Sequence, residues 1–176
     1  MDIELLVNIS SKAWALKILA LLDSGVSGRQ APLLAATKAT RPAFAASLKH
    51  LNELKLLEKN PGHGHPLRPE FRLTPQGIEA AAMASRVINA APDDAALEIL
   101  KRNWSVPILA IARGPTRYSV IKTRLGKITD RALSQSLHFL EERDWLARKL
   151  NVSHRAAYPT YQAIEKGAKI SRLIQV

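Results

Sequence analysis

The chain has 176 residues, 26 of them Lys or Arg against 15 Asp or Glu, so its formal charge is +11 and its pI about 10.3. Such an excess favours a polyanionic partner, nucleic acid first and an anionic membrane surface second, because each cation laid on a phosphate releases condensed counterions. The absence of cysteine excludes disulfide frameworks, thiolate nucleophiles and Cys-rich zinc sites, and the longest apolar stretches, Trp14 to Leu22 and Val106 to Ala112, fall short of a bilayer span.

In chain order, a helix is predicted from about Ser11 to Leu22, then a turn over Gly25 to Gly28 and a second helix through Ala31 to Ala36. Thr40 opens a third helix, with Pro42 in the first turn, where a missing amide removes no bond. Leu57 to Leu73 reads as a hairpin with a Pro/Gly-rich tip, and Pro75 to Ala90 as a closing helix rich in small residues, suited to close packing between units. Ala90-Ala-Pro-Asp-Asp94 makes a short break in which Asp93 caps the next helix.

Beyond the break, Ser105 is expected to cap a helix carrying Pro107, Ile108, Leu109 and Ile111, ended by Gly114-Pro115. Tyr118, Ile121 and Leu125 form the apolar side of a short helix stopped by Gly126. Thr129 starts a third helix in which Leu133, Leu137 and Leu140 recur at i, i+4 and i+7, leaving Arg131, Ser134, Gln135 and His138 on the remaining surface. Trp145 to Leu150 and Tyr158 to Ala163 read as two strands around a polar tip, and Glu165 begins a last helix.

The two runs repeat one another at an offset of about ninety residues. Lys38 to Leu51 lies over Lys127 to Leu140 without a gap, Trp14-Ala-Leu-Lys-Ile-Leu19 over Trp104-Ser-Val-Pro-Ile-Leu109, and Leu73 to Gly77 over Ala163 to Gly167. An internal duplication into units 1–90 and 91–176 is therefore expected, both of them basic: 11 cations against 7 acids up to Ala90, and 15 against 8 after it. The predicted fold class is mainly α with small β-hairpin wings, as tandem winged helix-turn-helix domains, in which a third helix enters the DNA major groove.

Trp104-Ser-Val-Pro-Ile-Leu109, Gly114-Pro-Thr-Arg-Tyr-Ser119, Leu125-Gly-Lys-Ile-Thr129, Arg131-Ala-Leu-Ser-Gln-Ser-Leu137 and Tyr161-Gln-Ala-Ile-Glu-Lys-Gly167 together resemble the HxlR-type branch of the MarR-like bacterial regulators. The resemblance covers about eighty residues of the second unit. It implies a double-stranded-DNA-binding transcriptional regulator whose relatives bind as homodimers, so one chain with two units is either a pseudo-dimeric monomer or itself half of a homodimer. The first unit departs from the pattern: its turn after helix one is longer, Arg41-Pro42 opens its third helix, and Ala45-Ala46 stand where Ser134-Gln135 stand in the second.

For base edges the candidates are Arg131, Ser134, Gln135 and His138, since Arg to guanine and Gln to adenine are two-pronged pairings. Arg41 and Lys49 are the first unit's counterparts, suited to phosphate positioning. Lys38, Lys127, Thr40 and Thr129 sit beside helix N-termini that favour a phosphate, Arg117 precedes the second helix, placed to touch the backbone of the opposite DNA strand, and Arg68, His154 and Arg155 stand on the wing tips. The bland alternative for all of them is a solvated surface, with capping for the threonines and core packing for Trp14 and Trp104.

His63-Gly-His65 lacks the ligand count of a metal site, and no catalytic constellation is recognisable, so neither metal, cofactor nor enzymatic activity is expected. The start Met1-Asp-Ile-Glu has no basic signal-peptide head, and the expected location is cytoplasmic and nucleoid-associated, without membrane contact. Two other functions suit the same fold: a tandem winged-helix protein-interaction scaffold, and a nonspecific architectural DNA-binding protein.

Overall fold

The computed structural model describes residues 1–65, 68–152 and 157–175. Asp2 starts the first helix, α1 (Ile3–Ser10), by accepting a hydrogen bond from the Leu5 amide at 2.7 Å. It is followed by α2 (Ala15–Asp23), α3 (Gln30–Thr37) and α4 (Arg41–Glu53), a hairpin of β1 (Leu57–His65) and β2 (Arg68–Leu73), and α5 (Pro75–Asn89). A second run then gives α6 (Asp94–Leu100), α7 (Ser105–Ile111), the two-residue β3 (Thr116–Arg117), α8 (Tyr118–Leu125) and α9 (Asp130–Glu141). It closes with β4 (Leu146–Asn151), β5 (Tyr158–Ala163) and α10 (Glu165–Leu173). The molecule is mainly helical with small antiparallel sheets.

Three local expectations need correction. Ser11 does not begin a helix, because the chain bends by 104° between α1 and α2. Ser105 is not a cap: it is the buried first residue of α7, and the N-cap position is Trp104, with no side-chain cap bond. The second hairpin is widened to three strands, in the order β3-β5-β4, since Thr116 and Arg117 pair with Tyr161 and Thr160. The first run has only an isolated bridge there, Arg29 to Glu70. Thr40 occupies the N-cap of α4 without a side-chain bond, whereas Thr129 accepts from the Ala132 amide at 3.2 Å and Asp93 from the Ala96 amide at 2.8 Å.

After α4 and after α9 the backbone makes the same turn. Lys55 and Asp144 both take φ 57°, the amides of Leu56 and Trp145 bond back to Leu51 and Leu140, and the carbonyls of Leu56 and Trp145 then receive Thr74 and Ile164. Each of those carbonyls lies under a glycine in the first turn of the closing helix. A Cβ on Gly77 would stand 2.0 Å from the Leu56 oxygen, and one on Gly167 would stand 2.1 Å from the Trp145 oxygen, distances only a missing side chain permits.

Buried side chains from both runs form one apolar cluster. Ala80, Ala81, Ala84 and Val87 give α5 a buried face of small side chains, and α5 packs extensively on α2 and also touches α10. Helix α1 reaches across the chain to α7 and α8, while Leu97 and Leu100 of α6 share a narrow crevice with Leu16 and Ile88. Trp14 and Trp104 are half-buried against this cluster, and the Lys101 ammonium lies 3.9 Å from the Trp14 ring centroid, a cation–π contact. Among the described residues no single helix is long and apolar enough to cross a membrane.

Gly167→Ala is expected to destabilise the protein by about 1–3 kcal/mol, the usual cost of forcing a methyl into a filled site, because the obstacle is a backbone carbonyl that cannot turn aside. A chemical-denaturation series on the parent and the variant checks this, and equal midpoints would contradict it.

Candidate nucleic-acid interface

Helix α9 is positioned by its apolar side. Leu133, Leu137 and Leu140 are buried, and the opposite surface leaves Arg131, Ser134, Gln135 and His138 exposed. A polar clasp fixes the start of the helix. The Tyr118 hydroxyl, on the first turn of α8, donates to Asp130 (3.0 Å to its carbonyl oxygen, 3.1 Å to Oδ1) and lies 3.3 Å from the Ser134 hydroxyl, while Lys122 Nζ reaches Asp130 Oδ2 at 2.6 Å. Hydrogen bonds from Lys122, then from Tyr118, hold the Asp130 carboxyl below its ordinary range, and the bond to Asp130 raises the Lys122 ammonium in turn.

The sequence marked Tyr118 only as apolar and passed over Lys122 and Asp130. No periodicity links residues on two different helices, and the clasp exists only once α8 and α9 are packed.

Ion pairing sorts the remaining cations. His138 Nε2 lies 3.2 Å from Glu142 Oε1, and Lys49 lies 3.7 Å from Glu53. Arg131, Lys127, Arg41 and Lys38 are exposed, and no ion pair is seen for them among the described residues. Lys38 closes α3 in a left-handed conformation, φ 59°. Arg117 leads from β3 into α8 with its guanidinium 3.7 Å from the Tyr158 ring centroid, which fixes its direction without neutralising it. Thr40 and Thr129 occupy the N-cap positions of α4 and α9.

Arg68 opens β2 opposite His65; its side chain lies outside the described residues, as do His154 and Arg155. Strand β4 adds exposed Arg148 and Lys149, and beyond them Leu150 and Val152, 62% and 78% exposed.

In the first run the exposed surface of α4 carries Arg41, Pro42, Ala45, Ala46 and Lys49. Among the described residues nothing there resembles the hydroxyl clasp of α9, because Gln30 opens α3 where Tyr118 opens α8. A half-open groove of about 230 Å³ remains between Gln30, Ala45, Lys49, Lys59 and Phe71. Among the described residues no group of three or more His, Asp or Glu is arranged to hold a metal ion.

The clasp has a pH signature. Because the folded-state pKa of Asp130 is depressed, its contribution to stability is present above the unfolded value of about 3.9 and is lost as pH falls through the lower folded value. In a carboxyl-detected NMR titration Asp130 is expected to have a midpoint below those of free aspartates, and Lys122→Ala to raise it; an unmoved midpoint would show that the clasp does not form.

One family model matches the chain: the HxlR-like helix-turn-helix, over residues 99–176. The matched segment holds α7 to α10 and the three-stranded sheet. No curated protein and no solved structure matches. The match over residues 99–176 supports a DNA-binding transcriptional regulator of the HxlR-like helix-turn-helix type.

Proposed function

We propose that the protein is a sequence-specific double-stranded-DNA-binding transcriptional regulator carrying two winged helix-turn-helix units, 1–90 and 91–176, that arose by tandem duplication. The observation that carries the reading is α9, buried along its leucines and presenting Arg131, Ser134 and Gln135 to solvent within the segment that the HxlR-like model matches. The repeated element order and the paired glycine-under-carbonyl contacts of Gly77 and Gly167 speak for the duplication.

In this reading the second unit reads bases, with Arg131 and Gln135 as the two-pronged donors and acceptors, Ser134 and His138 beside them. Lys127, Thr129 and Arg117 hold phosphates, and the wing, with Arg155 and His154, follows the adjacent groove. The first unit supplies register rather than recognition: Arg41, Lys49, Lys38, Thr40 and Arg68 meet the backbone, while Ala45 and Ala46 offer no hydrogen bonds. One chain then stands in for a dimer, its third helices entering successive major grooves about 34 Å apart, and the preferred site is asymmetric. Such a protein works in the cytoplasm at the nucleoid.

Fluorescence-anisotropy titration on random and on selected DNA, across a salt series, tests the assignment. Arg131→Ala and Gln135→Ala are each expected to cost about 1–3 kcal/mol on selected DNA and to erode its advantage over random DNA. Equal, steeply salt-dependent binding of both DNAs would indicate an architectural protein, and no binding near physiological salt a protein-interaction scaffold.

A further inference from the structure

We propose that Arg102 is a phosphate clamp, gripping the DNA strand that bounds the major groove on the side of α9 away from the hairpin, with Phe139 as the platform that holds its guanidinium. The inference rests on the reading of α9 as the groove-entering helix.

A helix with its side chains is about 10–12 Å across and the major groove about 12 Å wide, so the helix fills the groove. Groups flanking it therefore meet the sugar-phosphate strands rather than base edges. Each residue turns α9 by about 100°, which puts Glu141 on one flank, bordered by Ser134 at the edge of the outward face, and Ala132, Ser136 and Phe139 on the other. The first flank is already occupied: Ser134 meets Tyr118, and β4 packs on α9. On the second, Arg102, Trp104 and Ser105 face Gln135, Ser136 and Phe139 across a half-open cavity of about 170 Å³. Arg102 thus lies beside a base-reading candidate, on the flank of α9 opposite the one that Ser134 borders.

The guanidiniums of Arg102 and Arg143 stand 3.8 and 3.7 Å from the centroid of the same Phe139 ring. Two planar groups so close to one ring occupy its opposite faces. Arg143 is engaged locally, donating to the Phe139 carbonyl at 3.0 Å and lying 3.5 Å from Glu142. Arg102 is exposed, and no acidic partner is seen for it among the described residues. Contact with the ring restrains the guanidinium and leaves its charge intact, so less side-chain freedom remains to be lost when its fork closes on two phosphate oxygens.

Among the described residues the first run has no such platform on its third helix. His50 is the residue aligned with Phe139, and its Nε2 is 2.7 Å from the Asn8 carbonyl oxygen and 3.1 Å from the Ser11 hydroxyl. The clamp belongs to the second half alone.

The test compares the parent, Arg102→Ala and Phe139→Leu on a random-sequence duplex and on one selected for the parent, from about 50 to 200 mM salt, with thermal melts to establish folding. Arg102→Ala is expected to weaken both duplexes alike, roughly tenfold, and to reduce the salt slope by about one, leaving their affinity ratio unchanged. Phe139→Leu keeps the charge, so affinity for both duplexes falls while the slope holds. Unchanged affinity and slope in Arg102→Ala, or a change in the ratio alone, would overturn the clamp, and full affinity in folded Phe139→Leu would overturn the platform. Failure of the parent itself to bind either duplex is a separate result, and would remove the DNA reading of α9 along with the clamp.

Discussion

Burial of Leu133, Leu137 and Leu140 governs what this protein can present to a partner. Full burial of a leucine is worth about 1.5–3 kcal/mol, so α9 cannot roll about its axis without exposing the side chains that seat it. With the leucines facing inward, Arg131, Gln135 and His138 have one direction left, and the loss of water around the core becomes the orientation of a polar surface. The Tyr118–Asp130–Lys122 clasp adds direction at the N-terminal end, where an exposed pair contributes little stability by itself but fixes where the helix starts.

The two runs share a backbone plan and differ in surface chemistry. Their turns after the third helix agree down to the left-handed residue and the glycine that follows, features set by backbone sterics and hence indifferent to what the exposed face carries. The exposed faces have no such constraint. On α9 the arginine and amide are flanked by aromatic rings, Tyr118 on one side and Phe139 on the other. On α4 Ala45 borders an open groove instead. One helix face carries directional hydrogen-bonding groups and the other chiefly charge.

The halves are also joined more deeply than a short linker requires. Helix α1 packs on α7 and α8, α5 touches α10, and Lys101 covers Trp14. Because both runs bury residues in one cluster, a shift of one run relative to the other would expose apolar surface, so the spacing between α4 and α9 is set by packing.

Much of this was legible beforehand because it depends on local rules. Leucine spacing gave α9, Thr129 and Asp93 gave two caps, and Gly126 gave the end of α8, each an effect acting within a few residues. The same rules misplaced the first helix, which begins at Ile3 behind Asp2 rather than near Ser11, and they missed β3, whose two residues pair with β5. The sequence by itself determined the third helices with the hairpins and closing helices that follow them, the excess of positive charge and the polar face of α9. Only tertiary structure decided which cations remain unpaired among the described residues, that Tyr118 reaches Asp130, and that Arg102 sits over the Phe139 ring, because those contacts join residues far apart in the chain whose proximity is created by burying the core.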